Sequence, residues 1–185
     1  MKSTGLPTGK GAAFNDILKQ TFNDVDLQPE EIPRLDLYMD QILTLFNGVL
    51  SKNSRHPGEN PLTKTMINNY SKEKLLTPVQ GKKYSREQIM QLLCVLILKQ
   101  ALTLSDIRSL MAVNEDEIGF ERAYAESLRV KNSLREKLSG LIGEVRDSFP
   151  GLSPGEQDLA TALVLSSLSH YLQRACEGMI DNRRE

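Results

Sequence analysis

The chain has 185 residues, 39% hydrophobic and 25% charged, which suits a compact domain with a helical extension and excludes disorder throughout. Its net charge of −1 hides an asymmetry: Lys52 to Arg108 carries ten Lys or Arg against four Asp or Glu, and the remainder thirteen against twenty. Two distant cysteines, Cys94 and Cys176, exclude a disulfide framework and read as buried thiols, and no His or Cys spacing makes a metal site. The N-terminus has no apolar core of signal-peptide length, and the most apolar run, Ile89 to Leu98, is ten residues, too short to span a bilayer. The expectation is a cytoplasmic protein without a membrane partner.

Met1 to Gly11 is rich in Gly, Thr, Ser and Lys and predicts a poorly ordered tail; its GLPTGKG lacks the glycine spacing and preceding strand of a phosphate-binding loop. Ala12 to Val25 places Phe14, Ile17, Leu18, Phe22 and Val25 on a helical stripe, and Leu27 to Pro33 forms an acidic, proline-marked connection. A helix over Leu35 to Leu50 follows, with Leu35, Tyr38, Met39, Ile42, Leu45, Phe46 and Val49 on one face. Asp36 and Asp40 fall in its first turns, where negative charge complements the helix dipole; with no nucleophile or base beside them they are not a catalytic cluster. Ser51 to Pro61, SKNSRHPGENP, has the composition of an exposed flexible loop.

The basic half of the asymmetry begins with a short polar helix, Thr63 to Lys74, capped by Thr63 and presenting the adjacent amides Asn68 and Asn69. Thr77 to Tyr84 follows, punctuated by Pro78 and Gly81 and tipped by Lys82 and Lys83, and reads as a small basic hairpin or wing. Ser85 with Gln88 three residues on is a capping-box pattern, opening a helix so apolar all round that it must be the buried centre of the domain. Thr103 to Asp106 starts another short helix, Ser105 to Met111, which returns to the same core.

From Glu115 to Ser148 Leu134, Leu138, Leu141 and Val145 repeat at 4, 3, 4, the seam of a coiled coil or helical hairpin. Phe149 to Gly155 breaks it, and a second helix, Glu156 to Asp181, turns Leu159, Leu163, Leu168, Leu172, Ala175 and Met179 inward. Two such helices must cover their apolar faces within one bundle or against a second subunit, and a homodimer is the expectation.

Thr65 to Tyr70, Leu75-Leu76-Thr77-Pro78, Lys82-Lys83-Tyr84-Ser85 and Leu104-Ser105-Asp106-Ile107-Arg108 resemble, in order and spacing, the winged helix-turn-helix of MerR-type transcription regulators. EIPRLDLYMDQILTLF followed by LTKTMINNY is similar to a YkrK-like bacterial family of unknown function regarded as MerR-like. The resemblance covers Glu31 to Met111. It implies a winged helix-turn-helix over 31–112, and with the elements read on either side the expectation is an all-α fold with a small β-hairpin wing: a tail and short helix over 1–30, that domain, and a C-terminal helical, dimerising hairpin over 113–185. Where that pattern commonly ends the recognition helix with glycine, this chain has Lys74, so a left-handed cap costs roughly 1 kcal/mol or another geometry replaces it. Asn68 and Asn69 stand where the better-known members carry other residues, so base specificity does not transfer.

Function follows from the side chains as well as from the likeness. An α-helix fits the major groove, and asparagine can pair bidentately with the Hoogsteen edge of adenine. Asn68 and Asn69 are the candidate readers; Lys64, Thr65 and Lys72 suit phosphates beside them, and Lys82 and Lys83 suit phosphates from the wing. Tyr70 and Tyr84 complete the candidate DNA-binding set as less specific contacts. The reading is a sequence-specific DNA-binding regulator, with promoter occupancy and repression the simplest outcome. The alternative is a helical protein-interaction module that has lost DNA binding. No nucleophile and base, metal constellation or cofactor loop is present to make an enzyme, and no feature names a small-molecule effector.

Overall fold

Ile89, Met90, Leu92, Leu93 and Val95 leave almost no surface to solvent, and they make the helix Arg86–Leu98 (α4) the centre of the molecule. The computed structural model describes residues 14–56, 58–112 and 119–183. The expected tail, Met1 to Gly11, and the first residues of the expected helix from Glu115 lie outside them. Ahead of α4 come α1 (Phe14–Thr21), a 3-10 turn at Pro29–Glu31, β1 (Leu37–Tyr38), α2 (Met39–Leu50), a second 3-10 turn at Ser51–Asn53, α3 (Lys64–Lys72) and β2 (Lys83–Tyr84). After it come α5 (Leu104–Met111), α6 (Phe120–Asp147) and α7 (Pro154–Asp181). The protein is mostly helical with one small antiparallel sheet. No helix among the described residues is long and apolar enough to cross a membrane.

The capping box opens α4 as its sequence requires: the Ser85 hydroxyl accepts from Gln88 N at 3.3 Å, and Ser85 N donates to Gln88 Oε1 at 2.8 Å. Burial in this helix pushes the Cys94 thiol up to about 11, so it stays protonated at neutral pH. Cys176, expected to be buried, is exposed on α7.

The helix expected from Leu35 begins at Met39 instead. Leu37 and Tyr38 are extended and pair with Lys83 and Tyr84, Leu37 opposite Tyr84. Leu37 points into the core while its neighbour Tyr38 faces solvent, as successive residues of a strand do, and Leu35, ahead of the strand, is exposed as well. Gln41 then closes the helix start, its Oε1 accepting from Tyr38 N at 2.9 Å. The wing thus contributes one strand, and that strand's partner comes from ahead of α2 and not from the other arm of the Thr77–Tyr84 turn.

The Ser51–Pro61 connection is pinned where the sequence suggests freedom. Asn53 accepts from Val25 N at 2.8 Å and donates to Val25 O at 2.7 Å, and Asn47 makes the same two-way contact with Leu62, at 3.1 and 3.0 Å. Each carboxamide mimics a strand partner for a lone residue, so α2 and α3 are joined through fixed ends.

Helix α3 ends in a left-handed residue. Lys74 has φ 54°, Leu75 N donates to Tyr70 O at 2.9 Å and Lys74 N to Ser71 O at 3.1 Å, a Schellman closure that tucks Leu75 into the core. Of the two outcomes open at Lys74, the chain takes the left-handed cap and not another geometry. Replacing Lys74 by glycine should relieve the crowding at Cβ and raise stability by roughly 0.5–1 kcal/mol, read as a higher urea midpoint at unchanged slope.

One continuous cluster of buried side chains runs from Leu27 to Ile180, so Phe120, Tyr124 and Leu128 of α6 and Ile180 of α7 share the core of the 31–112 segment. Arg86 bolts this junction: it donates to the carbonyls of Pro29 (2.8 Å) and Ile32 and pairs with Glu121. Farther out, Lys131 and Arg135 hold Asp24 and Asp26 along α6. Between Leu128 and the end of α6, and between Thr161 and Ile180 of α7, no residue is buried. The expected inward set is thus corrected: Leu159, Leu163, Leu172 and Met179 are 60–70% exposed, and Leu134, Leu138 and Leu141 over 40%. Arg146 meets Asp158 near the hairpin tip and α6 and α7 touch each other, while α6 also docks on α4 and α1 and α7 on α5, an arrangement that still leaves Leu159, Leu163, Leu172 and Met179 mostly exposed.

Candidate nucleic-acid interface

Ile67 and Tyr70 are the buried residues of α3, and they turn its opposite side to solvent. At 100° per residue, Thr65, Asn68, Asn69 and Lys72 fall at i, i+3, i+4 and i+7 on that solvent side. The helix is anchored from below, and Thr63 caps it by accepting from Met66 N at 3.3 Å. The carboxamides of Asn68 and Asn69 make no hydrogen bond among the described residues, unlike Asn47 and Asn53, which are spent on structure. A solvent-facing pair with unused donors and acceptors is what base-edge reading requires.

The flanking cations sort into two groups. Lys64, placed for phosphate by its position, is paired with Asp40 at 2.7 Å, an exposed bridge of small energy. Lys72, Lys74 and Lys82 have no carboxylate partner among the described residues, and Lys83 lies 5.0 Å above the Tyr38 ring. Tyr70 and Tyr84 leave the interface altogether. They are 4% and 6% exposed, and burial pushes both phenols above their usual range. Their rings support α3 and β2 from beneath, too buried to stack on bases.

The base of the wing is clamped by two buried glutamines one turn apart on α4. Gln88 Nε2 donates to the carbonyls of Thr77 and Pro78, each at 3.1 Å, and Gln91 Oε1 accepts from Thr77 N at 2.9 Å and Thr77 Oγ1 at 3.3 Å. Gly81, at φ 77°, makes the turn that carries Lys82 and Lys83 outward. At the other end Arg108 of α5 donates to the carbonyl of Glu73 at 2.7 Å and pairs with its carboxylate, holding the C-cap of α3. Helix and wing are therefore fixed to the same rigid core, as a composite surface must be.

The sequence marks Gln88 only as a cap and Lys74 only as a helix end, and gives no sign that Gln88 and Gln91 clamp the Thr77–Pro78 backbone. Lys74 is marked only by where glycine is customary, and a glutamine in an apolar helix gives no hint of which backbone it will meet. Lys74 and Lys82 both line a cleft of about 1080 Å³ between α3, the 77–84 turn, the end of α5 at Met111 and the start of α6 at Phe120. Among the described residues no group of three or more His, Cys, Asp or Glu is arranged to hold a metal ion.

Residues 27–128 match a family described as a domain of unknown function, DUF1836, a span running from the first core residue after α1 to the last buried residue of α6. Neither a curated protein nor a solved structure matches the chain.

Proposed function

The chain belongs to the DUF1836 family, and we propose that it is a sequence-specific DNA-binding transcription regulator, a MerR-like winged helix-turn-helix protein of the cytoplasm. The observation that carries this reading is the unpartnered polar stripe Thr65, Asn68, Asn69 and Lys72 on a helix anchored from behind. In the proposed complex α3 enters the major groove, the two asparagines read base edges, and Lys72, Lys74, Lys82 and Lys83 lie against phosphates. Occupation of a promoter then excludes other proteins, so repression is the direct consequence.

Selection of bound sequences from random duplexes is the deciding experiment. An enriched motif is expected, with binding that weakens steeply with salt, its slope near −0.9 for each phosphate neutralised, or about −3 to −4 for four lysines. Absence of duplex binding at low salt, or binding without enrichment, would overturn it.

We propose further that the regulator is a homodimer, joined through the uncovered faces of α6 and α7. The residues Leu159 to Gln173 include no Asp, Glu, Lys or Arg, although Leu159, Leu163, Tyr171 and Leu172 are each at least 60% exposed. The same uncharged surface favours a second reading, a protein-interaction module without DNA; weak, salt-independent binding to duplexes would select it.

A further inference from the structure

We propose that the corner where β1 runs into α2 is a third part of the nucleic-acid surface, in which Tyr38 carries Lys83 to a phosphate and Asp40 withholds Lys64 from one. The inference rests on the DNA-binding reading and adds two positioning residues to it.

The pleat of a very short sheet builds the corner. Leu37 pairs with Tyr84 on the inner face and Tyr38 with Lys83 on the outer, so an exposed aromatic lies directly across from a lysine. The Lys83 ammonium stands 5.0 Å from the centroid of the Tyr38 ring. A ring face holds an ammonium without neutralising it, and the charge stays available to a phosphate. Two residues on, in the first turn of α2, Asp40 does the opposite. Its carboxylate meets the Lys64 ammonium at 2.7 Å and cancels the first cation of α3. One short segment, Tyr38 to Asp40, thus decides what both lysines offer.

That segment adjoins the reading helix. Lys64 is the first residue of α3, and Met39, between Tyr38 and Asp40, lines the same cleft as Asn68, Ser71, Lys82 and Tyr84. A duplex seated on Asn68 and Asn69 meets Lys64 at the helix start and Lys83 beyond Met39. Phosphates attract both, but only Lys83 arrives with its charge uncompensated by Asp40. Removing the ring and removing the carboxylate therefore change the grip in opposite directions.

Fluorescence anisotropy across a range of salt, with the full chain on a selected and a random duplex, tests the corner. One phosphate contact contributes a slope of about −0.9, which is about fivefold in affinity at about 0.15 M salt. Tyr38→Leu keeps an apolar strand residue without a ring face, and should weaken both duplexes by up to about fivefold and flatten the slope by up to about one unit. Tyr38→Phe, which returns the ring, should recover affinity and slope. Asp40→Asn should tighten both duplexes about fivefold and steepen the slope by about one unit, and it decides its half even where Tyr38→Leu loosens the sheet. Each effect should shrink below about twofold when its lysine is absent, that of Tyr38→Leu in Lys83→Ala and that of Asp40→Asn in Lys64→Ala. Without DNA, proton NMR should find the Lys83 methylenes shifted upfield by the ring in the wild type and in Tyr38→Phe, and not in Tyr38→Leu. Duplex binding that both variants leave unchanged, effects that persist in full without the lysines, or Lys83 signals indifferent to the ring would overturn the corner and leave the DNA reading standing. No duplex binding by the wild type would remove the two together.

Discussion

Asn68→Ala and Asn69→Ala are expected to cut the preference for a selected duplex over a random one by about ten- to a hundredfold, the loss of a bidentate base contact worth about 1–3 kcal/mol. Lys72→Ala and Lys82→Ala should instead weaken both duplexes nearly equally and flatten the salt dependence by about one unit each. The contrast follows from placement. Both asparagines sit on the exposed side of α3 with carboxamides free of internal bonds, so truncating them removes nothing from the fold. Fluorescence anisotropy at two salt concentrations separates the two classes. Equal losses for asparagine and lysine variants would show that α3 positions the protein without reading sequence, and unchanged binding in all four would remove α3 from the interface.

Local signals in the sequence were sufficient for α4, because its cap, its core run and its length are all written within a few residues of Ser85 to Leu98. Thr63 was legible as a cap for the same reason, accepting from the backbone N–H three residues on, whereas the helix expected from Ser105 begins at Leu104 with Thr103 as its cap. The strand pair was not, since Leu37 and Tyr84 meet only after the intervening helices have packed, and pairing at that separation leaves no short-range mark. Of the candidate site, the α3 stripe could be derived from helical period alone, whereas the burial of Tyr70 and Tyr84 needed the core they sit on. Lys64 shows the same limit, because its partner Asp40 lies on another helix. The hairpin failed for a different reason. Its apolar period was plain, but period cannot say which molecule covers a face, and among the described residues Leu159, Leu163, Leu172 and Met179 are left mostly exposed.

Leu163→Glu combined with Leu172→Glu should convert a dimer into a monomer at micromolar concentration without unfolding it. Both leucines are 60% or more exposed in the single chain, so folding loses little when they change, and thermal unfolding should move by only a few degrees. Association loses much more. Burying what remains exposed of each such side chain contributes about 1–2 kcal/mol, and Leu159, Leu163, Tyr171 and Leu172 supply that from both subunits, against an association cost of about 4–15 kcal/mol. Four carboxylates placed in the seam oppose that burial and remove the dimer. On DNA, the variant should keep its affinity for a single half-site and lose about a hundredfold or more on two half-sites one helical turn apart, where the wild type gains from binding both. Light scattering and half-site titrations measure these together. A wild type that is monomeric at micromolar concentration, or a double variant that stays dimeric, would place the contact elsewhere. A variant that dissociates yet binds the paired site undiminished would mean that the reading helices act singly.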